Sequence, residues 1–160
     1  MSNYSQGDFD SFNKVIHETL DLFDDLIGLE NKKMGAITEN DVTLLDQYMN
    51  DEQAYLLQMR GLDYKREKMQ ELLDATGLSF RQMIDKFETP KREILDELYM
   101  ELSSKAAELK QAVAETRRVI DLHLNSINAL LDKLEGVPTY DKKGAKEQKA
   151  PPVRFTPTKA

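Results

Sequence analysis

The sequence predicts an all-α fold: an elongated antiparallel bundle of three long helices, with one short helix between the second and third and a disordered C-terminal tail. Two observations support this fold. Apolar residues recur every three or four positions over most of the chain, which is the spacing of one helix face. Glycine and proline are rare, seven and five in 160 residues, and neither occurs within residues 91–135. Since both residue types interrupt helices, their positions also predict helix ends.

The last predicted helix covers residues 91–135. Thr89 and Pro90 precede it, and Gly136 and Pro138 follow it, which are residue types favoured at the starts and ends of helices. Its apolar or small residues are about 3.5 positions apart on average, and we expect this stripe to pack against other helices along its whole length. The stripe consists of Leu95, Leu98, Leu102, Ala106, Leu109, Val113, Thr116, Ile120, Leu124, Ile127, Leu131 and Leu134.

Near its C-terminal end this helix carries more apolar side chains than the stripe requires. At about 100° per residue, Val119 and Leu130 lie on one flank of the stripe, and Leu122 lies farther round. Two interpretations stay open. The extra side chains either pack against the other helices or a loop, or they form an apolar groove that accepts a helix of a partner protein.

Two long helices are predicted before this one. Asp8 is a candidate N-cap for the first, which we expect to continue to about Ile37. Residues 38–41 contain several cap-forming side chains. They form either a turn between two antiparallel helices or a kink in one continuous helix.

The second helix is expected to end at residues 75–77, because Gly77 suits the left-handed conformation found after helix ends. Ser79 and Gln82 have the spacing of a capping box. The short helix is therefore predicted over residues 80–87, where its apolar side chains would cover the open end of the hairpin.

Charge divides the sequence into two parts. The net charge is −7, but residues 140–160 contain six Lys and Arg against two Asp and Glu, which leaves the rest at −11. We expect a helical domain over residues 1–139 and a flexible basic tail over residues 140–160, because the tail has too few apolar residues to offset the entropy of ordering. The acidic body disfavours nucleic acid, so only the tail suits a nucleic-acid-binding regulator.

No pattern indicates catalysis, a metal or a cofactor. The chain has no cysteine, and His17 and His123 fall on different helices without an associated nucleophile. Glu30 and Lys33 are expected to be a solvated ion pair on a helix surface. The methionines are expected mainly to fill the core. No apolar run approaches the ~18 residues of a membrane span, and the N-terminus lacks the features of a secretory signal, so we expect a cytoplasmic protein without membrane insertion.

The order of several short segments resembles the FlgN family. An opening hairpin, a short helix and a long final helix follow each other with the spacing found in that family. The segments are residues 30–37, 40–41, 44–45, 51–57 and 62–66 of the hairpin, Leu78-Ser79 at the short helix, and a Tyr-x-x-x-Gly motif at residues 140–144.

The resemblance implies a cytoplasmic chaperone of flagellar type III secretion that binds the terminal helices of hook-associated proteins from the hook-filament junction. It also implies docking on the flagellar export gate through the tail motif, here Tyr140 and Gly144. No cofactor is required, and we expect a monomer or weak homodimer when the protein is free. The alternative is a structural or scaffolding coiled-coil protein that homodimerises through its long C-terminal helix. The resemblance places client binding on the final helix, where we expect the contacts to be made by Val119, Leu122, His123, Ile127 and Leu130.

Overall fold

The described residues, 4–135 of a computed structural model, form four helices and no strand. The helices are α1 (Gln6–Thr38), α2 (Val42–Leu72), α3 (Phe80–Ile84) and α4 (Lys91–Glu135). The predicted all-α fold, with one short helix between the second and third long ones, is confirmed. The chain divides into two compact units, Met1–Arg118 and Val119–Ala160. The expected basic tail, residues 140–160, lies outside the described residues.

The first helix begins at a capping box. The Ser5 hydroxyl accepts a hydrogen bond from the Asp8 backbone N–H at 3.1 Å, and the Asp8 carboxylate accepts one from the Ser5 N–H at 3.1 Å. Asp8 was expected to be the N-cap, but it occupies the third helical position. The helix starts three residues earlier because Ser5 and Asp8 satisfy each other's backbone donors.

A tight turn joins α1 to α2, so the kinked-helix alternative is wrong. Asn40 has a φ of 56°, a left-handed conformation that Asn tolerates better than most residues. Its N–H donates to the Ile37 carbonyl at 3.1 Å. The Asp41 N–H donates to the Ala36 carbonyl at 2.9 Å, which completes a Schellman motif. Asp41 also caps α2, since its carboxylate accepts from the Leu44 N–H at 3.0 Å.

The second helix ends earlier than predicted, at Leu72. Asp74 adopts the left-handed conformation, with φ 60°, and the Ala75 N–H donates to the Gln70 carbonyl at 2.8 Å. Gly77 is also left-handed, with φ 79°, but it lies in the loop after the helix. The buried Gln70 amide holds this loop, because it donates to the Ala75 carbonyl at 3.2 Å and to the Leu78 carbonyl at 2.9 Å. The helix therefore ends at an Asp-containing motif, for which glycine is the commoner signal.

The capping box at α3 is confirmed. The Ser79 hydroxyl accepts from the Gln82 N–H at 3.1 Å, and the Gln82 side chain accepts from the Ser79 N–H at 3.0 Å. The predicted end at Phe87 is wrong: α3 stops at Ile84, because the next backbone hydrogen bonds join residues three apart, with Phe87 N–H donating to the Ile84 carbonyl at 3.0 Å. At α4, the Ile94 N–H donates to the Pro90 carbonyl at 3.2 Å, so Pro90 is the residue at the cap.

The main core of the first unit lies where the start of α1 meets the end of α2, the α3 segment and the start of α4. Aromatic rings pack there at centroid distances of 5.7 Å for Phe9 and Phe87 and 5.4 Å for Phe12 and Phe80. Burial of these side chains provides the main stabilisation of the unit. The cluster contains Phe9, Phe12, Ile16, Leu20, Leu73, Ala75, Met83, Ile84, Phe87, Leu95 and Leu98.

Contacts along α1 define the directions of the other helices in the first unit. Phe9 packs in the same cluster as the end of α2, whereas Lys33 pairs with Glu52 near the turn at 2.9 Å, so α1 and α2 are antiparallel. Lys91 Nζ lies 5.4 Å from the centroid of the Phe9 ring. Asp24 Oδ1 lies 2.7 Å from Nζ of Lys105, so α1 and the start of α4 are parallel.

The second helix is much less buried than the first. α1 has twelve buried residues among 33, whereas α2 has one, Gln70, among 31. The expected core role of the methionines holds for Met83, which is fully buried, while Met34, Met49, Met59 and Met69 are half-buried. Met100, expected near an apolar face, is 69 % exposed.

Candidate functional site

An exposed apolar surface covers much of the last four turns of α4. Five large apolar side chains there are between 47 % and 73 % exposed. At about 100° per residue, Ile127, Leu130, Leu131 and Leu134 lie within about 100° of one another, whereas Leu122 lies farther round the helix. Exposed apolar patches of this kind mark interaction sites. We call this surface the terminal apolar face; its members are Leu122, Ile127, Leu130, Leu131 and Leu134.

The residues that were expected to bind a client are therefore placed differently from one another. Leu122, Ile127 and Leu130 are exposed, while Val119 and His123 are half-buried. The interpretation in which these side chains are wholly packed away does not hold for the three exposed ones.

The predicted stripe that packs along its whole length includes Ile127, Leu131 and Leu134, and for these three residues the prediction is wrong. All three side chains are exposed. The described part of the second unit, residues 119–135, is a single helical segment. It therefore contains no second element of its own unit against which an apolar stripe could pack. The apolar face is wider than the three residues predicted to flank the stripe.

The polar residues between these apolar side chains are mostly uncharged. Asn125, Ser126 and Asn128 are exposed along this segment, and the charged residues Asp121, Asp132 and Lys133 lie near its two ends. A face of this kind offers area for burial and little charge to desolvate. The arrangement suits an amphipathic helix laid along it, with i, i+3, i+4 and i+7 anchors.

Residues 4–135 show neither a metal-ligand cluster nor a membrane-spanning helix. His17 is exposed on α1 and His123 is half-buried on α4, and no group of three or more His, Cys, Asp or Glu side chains among residues 4–135 could hold a metal ion. In this part of the chain, no helix has the length and apolar character to cross a bilayer.

A largely buried ionic cluster joins α1 to α2 within the first unit. Lys33 Nζ lies 3.2 Å from Oε2 of Glu30 on the same helix and 2.9 Å from Oε1 of Glu52 on α2. Thr116 of α4 is buried beside it, and its hydroxyl donates to the Ala112 carbonyl at 3.0 Å. The expected solvated pair of Glu30 and Lys33 is thus wrong, because these residues are only 1 % and 7 % exposed.

This cluster perturbs the ionisation of Glu30. Burial raises the pKa of the Glu30 carboxyl above its usual value of 4.5; the Lys33 ammonium opposes the rise, and the Glu52 carboxylate adds to it. Oε1 of Glu30 is buried without a hydrogen bond in the described part of the chain, since the Thr116 proton is directed to Ala112. One buried carboxylate oxygen of the cluster is thus unsatisfied among the described residues, which costs stability when Glu30 is charged.

Comparison with known proteins identifies one family. The model of the FlgN family, described as FlgN protein, matches residues 1–148 of the chain. The match covers all four helices and thus both the buried ionic cluster and the terminal apolar face. No curated protein matches the chain. No solved structure matches it either.

Proposed function

Because the chain belongs to the FlgN family of flagellar export chaperones, we propose that it holds hook-associated proteins in the cytoplasm before their export and delivers them to the flagellar type III export apparatus. FlgN is a chaperone family and not an enzyme family. The observation that carries the proposal is the terminal apolar face, where five large apolar side chains stay exposed on a helix. Exposure of that kind is unfavourable unless a partner covers it for part of the time.

The proposed mechanism is the burial of an amphipathic helix. The terminal helix of a hook-associated protein has an apolar face that finds its partner only in the assembled flagellum. In the cytoplasm, that face would otherwise associate with other copies of itself. Each 100 Å² of apolar surface buried against the chaperone contributes about 2.5 kcal/mol before the cost of ordering. A few hundred Å² are thus enough for reversible binding, and no nucleotide is needed.

Within this proposal, the exposed residues differ in their roles. Leu122, Ile127 and Leu130 make the central contacts, and the half-buried Val119 and His123 lie at their edge. The exposed members Leu131 and Leu134 extend the surface towards the C-terminus.

The tail contributes the second half of the proposed function. We propose that Tyr140 and Gly144, which form the Tyr-x-x-x-Gly motif, dock the loaded chaperone on the export gate. Both residues lie outside the described residues. Deletion of residues 140–160 is expected to abolish binding to the gate and to leave client binding intact.

Aspartate substitutions test the client site. Leu122→Asp and Leu130→Asp are each expected to weaken binding of peptides from the terminal helices of hook-associated proteins by at least about tenfold, because a charge must be desolvated on binding. Fluorescence anisotropy gives the Kd, and circular dichroism gives helicity and Tm. The matched control is Met100→Asp, because Met100 is an exposed apolar residue of α4 outside the terminal apolar face. Unfolding of both variants, or unchanged peptide affinity, would contradict the proposal.

The alternative function uses the same surface differently. The terminal apolar face also suits a second copy of the chain, so a scaffolding protein would form a stable homodimer through α4. We propose instead that the free protein is a monomer or weak homodimer and that client binding displaces any second copy. Light scattering with and without client peptide separates the two, since a dimer that persists at saturating peptide favours scaffolding.

A further inference from the structure

A second exposed surface lies on α2, within the first unit. We call it the outer face of α2, and it consists of Leu57, Gly61, Tyr64, Lys68 and Leu72. These residues are separated by steps of four, three, four and four, so they lie within about 60° of Gly61 around the helix. Leu57 is 64 % exposed, Tyr64 60 % and Leu72 50 %. Three large apolar side chains thus share one solvent-facing stripe, although α2 has only one buried residue with which to stabilise itself.

Gly61 is the feature that internal packing does not explain. It lies in the middle of a helix of 31 residues, where glycine is less favourable than alanine. A Cβ built on Gly61 meets no atom within 4 Å, so nothing in the described structure requires its absence. Its φ is not positive, so the backbone does not require glycine either. A missing side chain between exposed Leu57 and Tyr64 leaves a notch in which another backbone can approach closely.

The charges around the notch favour an acidic partner. Arg66 lies 3.0 Å from Asp63 and 3.9 Å from Glu67. Lys68 lies 3.8 Å from Glu71, and its ammonium lies 5.3 Å from the centre of the Tyr64 ring. The carboxylates of this stretch are thus already engaged by cations.

Two exposed cations of the same stretch have no such partner. Arg60 and Lys65 form no ion pair within the part of the chain that the structure describes. They flank the notch on a protein body of net charge −11, so they make it a local positive surface on an acidic protein.

We propose that the outer face of α2 binds an acidic amphipathic helix of a partner protein. Apolar side chains of that helix cover Leu57, Tyr64 and Leu72, its backbone approaches Gly61, and its carboxylates pair with Arg60 and Lys65. An anionic membrane surface is the less suitable occupant, because two cations without an ion pair among residues 4–135, Arg60 and Lys65, fall short of the cluster of about four to eight that recognises anionic lipids. This surface is separate from the terminal apolar face and does not depend on the function proposed for it.

A pair of designed peptides tests the proposal. Both are about five helical turns long with leucines at i, i+3, i+4 and i+7; one carries glutamates beside the leucines and the other lysines. With the full chain, fluorescence anisotropy is expected to show that the glutamate peptide binds at least about tenfold more tightly, with an affinity that falls as salt is added. Equal affinities for the two peptides would overturn the proposal.

Substitution of the glycine tests the site itself. Gly61→Gln fills the notch and is expected to weaken binding of the glutamate peptide by about tenfold, while the helix propensity of glutamine keeps the Tm at least as high as that of the wild type. The matched control is Gly35→Gln, because Gly35 is another exposed helical glycine with no atom within 4 Å of a Cβ. Equal affinities of the two variants would contradict the proposed site.

The two proposed surfaces are separated by a third variant. The double variant Leu122→Asp/Leu130→Asp is expected to bind the glutamate peptide as the wild type does. If this double variant loses the peptide, the peptide binds the terminal apolar face and the α2 proposal fails. The chain could instead bind phosphatidylserine vesicles more tightly than the glutamate peptide, with the vesicle binding lost in Gly61→Gln. That result would identify a membrane as the partner of this face and would also overturn the proposal.

Discussion

Lys33 Nζ lies 2.9 Å from Oε1 of Glu52 and so connects α1 to α2 through a partly buried ion pair. The same ammonium lies 3.2 Å from Glu30, which makes it the single cation between two carboxylates. In a buried site, the removal of such a cation leaves uncompensated charge, which costs more than the pair itself contributes. The cluster is therefore the most vulnerable point of the hairpin.

The first prediction concerns this cation. Lys33→Met keeps most of the side-chain volume and removes the charge, and we expect it to lower the free energy of unfolding by about 3 kcal/mol. Urea denaturation followed by circular dichroism measures the change. Lys32→Met is the control, because Lys32 is exposed and its ammonium lies 6.0 Å from the Tyr48 ring centre; it should cost less than about 0.5 kcal/mol. Similar losses in both variants would show that the buried position of Lys33 has no special role.

The second prediction concerns pH. A carboxyl whose pKa is higher in the folded than in the unfolded chain binds protons more readily when folded. Its contribution to stability therefore grows as the pH falls, and it is lost as the pH rises through the raised pKa. The pKa of Glu30 is raised in this way by burial. We therefore expect the stability of Glu30→Gln minus that of the wild type to be larger at pH 7 than near pH 4.5. Urea midpoints at the two pH values measure this difference.

The control for the pH experiment is Glu67→Gln. The Glu67 side chain is 62 % exposed and lies 3.9 Å from Arg66 on the helix surface. The difference in stability between Glu67→Gln and the wild type should change little over the same pH range, since solvent screens an exposed ion pair. If the Glu30→Gln difference is equally flat, burial does not control the ionisation of Glu30.

The third prediction concerns the hairpin turn. Asn40 has φ 56°, so Asn40→Gly should be nearly neutral, whereas Asn40→Val should lower the free energy of unfolding by about 1–2 kcal/mol. Thermal or urea denaturation distinguishes the two. A valine variant as stable as the glycine variant would mean that the left-handed conformation is not maintained in solution.

Local signals in the sequence located most of the helix ends. The Ser79 and Gln82 capping box was predictable because both partners lie within one turn. Asp8 was misassigned because Ser5 is an equally good cap three residues earlier. The end of α2 at Leu72 was missed because Asp74, and not glycine, adopts the left-handed conformation.

Two features of the candidate sites depend on contacts between distant parts of the chain. The spacing of Glu30 and Lys33 is the same for a solvated pair and a buried pair, and the deciding partner, Glu52, comes from another helix. Likewise, the periodicity of Leu131 and Leu134 is that of a core stripe, but periodicity does not reveal whether another element covers it. Sequence analysis therefore placed the apolar face on the correct helix and underestimated its extent.

The sparse burial of α2 has a consequence for its dynamics. A helix with one interior residue among 31 loses little apolar contact when a short section of it opens, whereas α1, with twelve, loses much more. Backbone amides in the middle of α2 should therefore exchange with solvent deuterium sooner than those of α1, through local openings that leave the rest of the hairpin intact. Any partner that binds α2 would slow that exchange, so deuterium uptake by α2 directly measures how much of the protein has the partner bound.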